Sequence, residues 1–149
     1  AFGTQGPVPE ERYTVPLGRA KIAKAGRDVT LVSVGYGVHL GLEAAEKAQE
    51  DGVSVEVIDL RSLKPLDAGT VLGSARKTGK VLVVDEDYAS YGLSGEIAAR
   101  IAEDGDARTA VKRFARVANP DVPVPFSEPL EEAVLPSVER ILDAIRGWA

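Results

Sequence analysis

The chain has 149 residues, 44% of them hydrophobic and 28% charged, with a formal net charge of −5 at neutral pH. That balance is ordinary for a soluble globular domain, and the acidic excess argues against a nucleic-acid partner, which requires clustered Lys and Arg. The absence of cysteine excludes disulfides, thiolate nucleophiles and cysteine metal sites.

Residues 1–18 are rich in Gly and Pro and lack periodic apolar positions, which predicts an extended leader or linker, with Ala1 to Gly6 as a vector-derived remnant. Residues 19–149 form the predicted domain. In Ala20 to Lys24, Ala20, Ile22 and Lys24 alternate with Lys21 and Ala23, enough for a short edge strand before a turn at Gly26. Val29 to Val34 is apolar except at Thr30 and Ser33, the pattern of a strand covered on both faces by helices. Val38, Leu42, Ala45 and Ala48 then make a helical stripe, with Glu43 and Lys47 paired on the wet side and Gly52 as the stop. In Val53 to Ile58, Val53, Val55 and Val57 alternate with Ser54 and Glu56, which is strand periodicity. Pro65 biases Lys64 away from helix, and Asp67 is placed to cap a helix carrying Val71, Leu72 and Ala75.

Lys80 to Asp85 supplies another buried strand, followed by a helix with Ile97, Ala98, Ile101 and Ala102 on one face. Lys112, Arg113 and Arg116 within Val111 to Val117 suit an edge strand protected from pairing with a neighbour. Pro120, Pro123 and Pro125 hold the next segment extended; a short helix follows Pro129, and Pro136 starts a last one presenting Val138, Ile141, Leu142 and Ile145 to the core. Strands alternating with helices mean an α/β fold around a mostly parallel sheet. No stretch has the roughly 18 consecutive apolar residues of a membrane helix, and the opening residues lack a secretory pattern, so the expected compartment is the cytoplasm.

Few groups promise chemistry. Gly35-Tyr36-Gly37-Val38-His39-Leu40-Gly41 follows a buried strand and opens a helix, with Asp59 closing the next strand, which approximates a dinucleotide-binding fingerprint. The third glycine is one place late, however, and Leu40 stands where close helix–sheet approach wants no side chain. A tight turn with one left-handed glycine is the favoured reading. His39, the single histidine, has Tyr36 and Ser33 nearby but no triad spacing, so it reads as structural. Asp85-Glu86-Asp87 stands at a strand's carboxyl end and offers three carboxylates to a cation such as magnesium; adjacent side chains diverge, which favours a solvated turn. Ser94 reads as a helix cap. Pro120 to Pro123 fits the PxxP pattern of SH3 ligands but sits inside a domain, which favours packing. Trp148 either packs down or anchors an interface.

The string Val53 to Asp67, VSVEVIDLRSLKPLD, resembles the β subunit of the E1 component of thiamine-diphosphate-dependent 2-oxo acid dehydrogenases, the pyruvate, branched-chain and acetoin enzymes. Similar blocks run from Val8 to Gly18, through Asp28 to Val32 and Leu42 to Ala45, to Gly95 to Ala99, Pro120 to Phe126 and Leu130 to Ile145. Together they resemble the carboxy-terminal half of that subunit, without its pyrimidine-binding half, as an expressed domain or proteolytic product would. The resemblance implies a three-layer α/β/α transketolase C-terminal domain, with five strands in the order 1-3-2-4-5 and the first antiparallel. It further implies a noncatalytic domain, inactive alone, that binds no cofactor itself. Its parent oxidatively decarboxylates a 2-oxo acid on thiamine diphosphate with magnesium, then passes the acyl group to the lipoyl group of E2. Implied partners are the E1 α subunit, a second β subunit and the peripheral subunit-binding domain of E2, with Glu131, Glu132, Glu139, Asp143 and Trp148 as candidate contacts. The alternatives are a small Rossmann-like nucleotide-binding oxidoreductase module using Gly35, Gly37 and Asp59, and the equivalent domain of transketolase or deoxyxylulose phosphate synthase.

Overall fold

In the computed structural model, residues 6–148 are described. Five strands form one sheet in the order β1-β3-β2-β4-β5. They are β1 (Lys21–Lys24), β2 (Val29–Ser33), β3 (Val55–Asp59), β4 (Lys80–Tyr88) and β5 (Arg113–Asn119). β1 pairs antiparallel with β3, and the other neighbours are parallel. Six helices lie among the described residues: α1 (Tyr36–Glu50), α2 (Ala68–Thr78), α3 (Leu93–Glu103), α4 (Gly105–Ala110), α5 (Glu128–Val134) and α6 (Val138–Arg146). No helix of this set is long and apolar enough to cross a membrane.

The pleat sorts the core into two layers, because successive side chains of a strand face opposite ways. On one face Leu31, Val57, Leu82, Val84 and Val117 meet the buried sides of α1 and α6; on the other Val32, Ile58, Val81 and Val83 meet α2, α3 and α4. Every residue of β2 is buried, as the apolar run from Val29 implies. The stripe of α6 packs as its spacing requires, with Val138, Ile141, Leu142 and Ile145 all buried.

Asp67 caps α2, its carboxylate accepting from the Thr70 backbone at 3.1 Å and from the Thr70 hydroxyl at 2.8 Å. The Ala20 backbone N–H also donates to it, at 2.9 Å, so one side chain fixes both the helix start and the approach to β1. Burial opposes ionisation of Asp67, but the bonds from Thr70 and Ala20 outweigh it and hold the carboxyl below its usual range.

Several expectations are corrected. The alternation that identifies β3 does not leave Glu56 in water: it is 1% exposed, because β3 is covered on both sides. It accepts from Gly26 N at 3.3 Å, from Ser74 and from Lys77, which together outweigh the cost of burying its charge and lower its pKa. Asp85 to Asp87 is not a solvated turn; β4 runs on to Tyr88, and Asp85 is buried. Ser94 lies inside α3, whose N-cap is Gly92, and its hydroxyl is buried without a partner. The helical face beyond β4 is narrower than expected, with Ile97 and Ile101 buried but Ala102 exposed. Pro136 precedes α6, whose cap is Ser137. The short α4, capped by Asp104, had no expected counterpart. Residues 6–17 of the leader are exposed, and Ala1 to Gln5 of the expected remnant lie outside the described residues.

Candidate functional site: an acid-rimmed groove

The start of α1 and the α5–α6 turn enclose a groove of about 470 Å³. Tyr36, Leu40 and Glu43 form one wall, at helical spacing i, i+4, i+7. Glu132, Leu135, Val138 and Glu139 form the other. Apolar side chains line the floor and three carboxylates stand at the rim. Arg140 fixes this geometry from behind: its guanidinium donates to Val134 O at 3.0 Å, to Leu135 O at 2.8 Å and to Ala118 O at 2.9 Å. One side chain therefore closes the end of α5 and ties it to the outer edge of β5.

The Glu139 carboxyl is held below its usual range by its own backbone N–H, then by the Ser137 hydroxyl, with Lys47 adding attraction. Glu43 pairs with Lys47 at 2.9 Å, as its spacing implies, and that contact raises the lysine's pKa. Lys47 thus compensates part of the negative rim and leaves Glu132 without an ion-pair partner among the described residues.

The groove gathers only part of the expected contact set. Glu132 and Glu139 line it, whereas Asp143 is exposed one turn further along α6 and Glu131 is half-buried. Trp148 packs half-buried against the core, and its carbonyl accepts from Lys80 Nζ at 2.9 Å. It lies nine positions beyond Glu139, and Lys80 opens β4, so Trp148 belongs to the opposite end of the sheet. Tyr36, Leu40 and Glu43 were missed, although their spacing on a predicted helix would have found them.

The glycine turn does not make a phosphate cradle. Gly35 takes a left-handed φ of 63° and serves as the N-cap of α1. A Cβ on Gly37 would lie 2.3 Å from Ser33 Oγ, which donates to Val84 O at 2.8 Å, so that space belongs to the chain's own hydroxyl. Gly41 performs the close helix–sheet approach, where a Cβ would come within 2.7 Å of a Leu31 methyl. Asp59, the acidic residue of the alternative dinucleotide-binding reading, accepts from Arg61 N at 2.9 Å. His39 is exposed and tilted against Tyr36 at 6.1 Å. Among the described residues no three His, Cys, Asp or Glu side chains converge on a metal position. These donors do not fit thiamine diphosphate or magnesium.

Residues 18–141 match the family "Transketolase, C-terminal domain". The chain is 41% identical over 146 residues to the β subunit of acetoin:2,6-dichlorophenolindophenol oxidoreductase of Cupriavidus necator, covering 97% of this chain and 43% of that one. It is 39% identical to the mitochondrial pyruvate dehydrogenase E1 component subunit beta-1 of Arabidopsis thaliana, over 96% of this chain and 40% of that one. With 2-oxoisovalerate dehydrogenase subunit beta of Bacillus subtilis the identity is 37%, over 97% and 44%. The chain thus spans less than half the length of these curated relatives. A solved structure described as a split-gene transketolase, an inactive β4 tetramer, superposes with a TM-score of 0.79 at 29% identity, covering 97% of this chain and 45% of that one. The sheet order, the antiparallel first strand, the covering helices and the match across residues 18–141 converge: the chain belongs to the transketolase C-terminal domain family and is closely similar to the β subunits of E1 components.

Proposed function

We propose that this chain is the carboxy-terminal domain of the β subunit of a cytoplasmic 2-oxo acid dehydrogenase E1, and that it serves subunit assembly and the docking of E2. The observation that carries this reading is identity of 37 to 41%, across nearly the whole chain, to β subunits of acetoin, pyruvate and 2-oxoisovalerate enzymes. The parent would be an oxidoreductase that uses thiamine diphosphate and magnesium held by other domains. Its partners would be an E1 α subunit, a second β subunit and E2. The equivalent domain of a transketolase is the second reading, supported by the split-gene structure at the lower identity of 29%.

E2 docking draws support from the groove. An apolar floor under Glu43, Glu132 and Glu139 suits a basic, apolar-anchored segment, as the peripheral subunit-binding domain of E2 would offer. Charge of this kind steers encounter and sets specificity more than it adds affinity. Calorimetry of the chain with a cognate E2 binding domain tests it. Binding should weaken steeply as salt rises, and Glu132→Lys with Glu139→Lys should abolish it at low salt. Binding untouched by both salt and the double variant would refute docking at this groove.

A further inference from the structure

β5 closes one side of the sheet, and part of its outer edge is unpaired. Backbone groups alternate in direction along a strand, which sorts those of β5 by position. Arg113 N donates inward to Gly79 O at 3.4 Å and Asn119 O accepts from Ala89 N at 2.8 Å, whereas Ala118 O points outward, to the Arg140 guanidinium at 2.9 Å. Phe114 and Arg116 share the outward direction of Ala118. Their N–H and C=O groups meet no partner among the described residues, and Phe114 beside them is 37% exposed. Charge then selects what can pair there. From Ala107 to Pro120 the chain carries Arg108, Lys112, Arg113 and Arg116, all exposed, and no carboxylate, although its net charge is −5. None of the four forms an ion pair among the described residues. Lys112 donates to Thr109 O at 2.5 Å and Arg116 to Ala89 O at 2.7 Å, but carbonyls are neutral and leave both cations charged. Asp121, which Arg116 attracts, lies past the end of the strand.

We propose that the outer edge of β5 takes up an extended acidic segment of another protein as a sixth strand. Main-chain bonds to Phe114 and Arg116 supply the pairing, the Phe114 ring an apolar contact, and the flanking cations the selection. A second copy of the chain is disfavoured, because pairing edge to edge would set Lys112, Arg113 and Arg116 against their own counterparts, and like charges across a strand pair repel. An acidic strand meets opposite charges instead. The acid-rimmed groove selects the opposite kind of partner, so this edge is a further contact, beyond the assembly and docking proposed above.

Calorimetry of the chain at low salt with a blocked hexapeptide of alternating Glu and Val, and with its Lys and Val counterpart, tests the edge. Two variants separate its parts. Phe114→Pro removes an outward N–H and spares the bonds to β4, a place where strands tolerate proline, and Lys112→Glu with Arg113→Glu reverses the charge. The expected result is saturable binding of the acidic peptide alone, weakened roughly tenfold or more by either change. No binding of the acidic peptide, or equal binding of the basic one, would overturn the proposal. So would binding that survives Phe114→Pro and is lost only on charge reversal, since that is attraction without strand pairing. Amide hydrogen exchange on the unaltered chain reads the same bonds whether or not the proline variant folds: the Phe114 and Arg116 amides should slow severalfold in the complex, and unchanged rates would exclude a sixth strand.

Discussion

Lys77→Ala probes the best-defined polar cluster in the core. The Glu56 side chain is 2% exposed, while that of Lys77 is 47% exposed, so the carboxylate is buried and its cation reaches it from the surface of α2. Ser74, Lys77 and Gly26 N supply the donors, and Thr30 extends the cluster with bonds of 2.7 Å to Ser74 and to Thr78. Removing the ammonium leaves the buried charge with two donors. A hydrogen bond to a charged group contributes about 1.5–3 kcal/mol. Because Lys77 is half in water, screening reduces this to about 1–2 kcal/mol, or about 2–8 °C in melting temperature. The pH dependence follows from the lowered pKa. Glu56 contributes fully above its unfolded pKa of about 4.3, and the contribution is lost as pH falls through the lower folded value. Urea denaturation at pH 7 and at about pH 3 should therefore show the deficit at the higher pH and a smaller one at the lower. Glu56→Gln in the Lys77→Ala background should recover part of it, since no charge then remains to strand. A deficit equal at both pH values, or none at pH 7, would refute this account.

Burial raises the pKa of Asp85, so the stability it contributes is full below the unfolded value of about 3.9 and is lost as pH rises through the folded one. Asp85→Asn should accordingly gain on the parent chain between pH 4 and 7 in denaturant melts, and a constant difference would contradict it. Gly41→Val drives a side chain into Leu31 and should cost about 1–3 kcal/mol by urea denaturation, with α1 displaced from the sheet. Asp67→Ala removes the cap of α2 and the tether to Ala20, a loss of about 1–2 kcal/mol that Asp67→Asn should largely restore.

Strands covered on both faces announce themselves as apolar runs, which is why β2 and β4 were legible, and the 3.6-residue stripe made α6 legible for the same reason. Local pattern fails where tertiary contact supplies the partner. The burial of Glu56 is not legible in the alternation of its strand, because its three donors come from two other segments. Ser94 looked like a cap because the sequence does not reveal that α3 starts at Gly92. The groove was half legible: Glu132 and Glu139 were candidates, but the opposing wall on α1 is about 90 residues away in the chain, and nothing local links the two. Strand order came from the family resemblance, since periodicity carries no information about which strands are neighbours.

The two ends of the sheet divide the work. Around the amino ends of the parallel strands, polar side chains are spent inward: Glu56 on α2 and Gly26, Asp28 on Ser54 N at 2.8 Å, and Lys80 on the chain's last turn. At the carboxyl ends the resources turn outward, to three rim carboxylates, a strained loop bearing Tyr91, and Phe126 in water. Carboxyl ends are where open α/β sheets gather ligands, because the loops there are free of sheet pairing while the strands beneath hold them rigid. In this chain no three His, Cys, Asp or Glu side chains converge there on a metal position among the described residues, and the acid-rimmed groove is the feature on which the docking proposed above rests. A scaffold arranged this way can change its partner surfaces without disturbing its core. Substitutions at Lys77 should therefore move stability and leave association alone, whereas those at Glu132 or Glu139 should do the reverse.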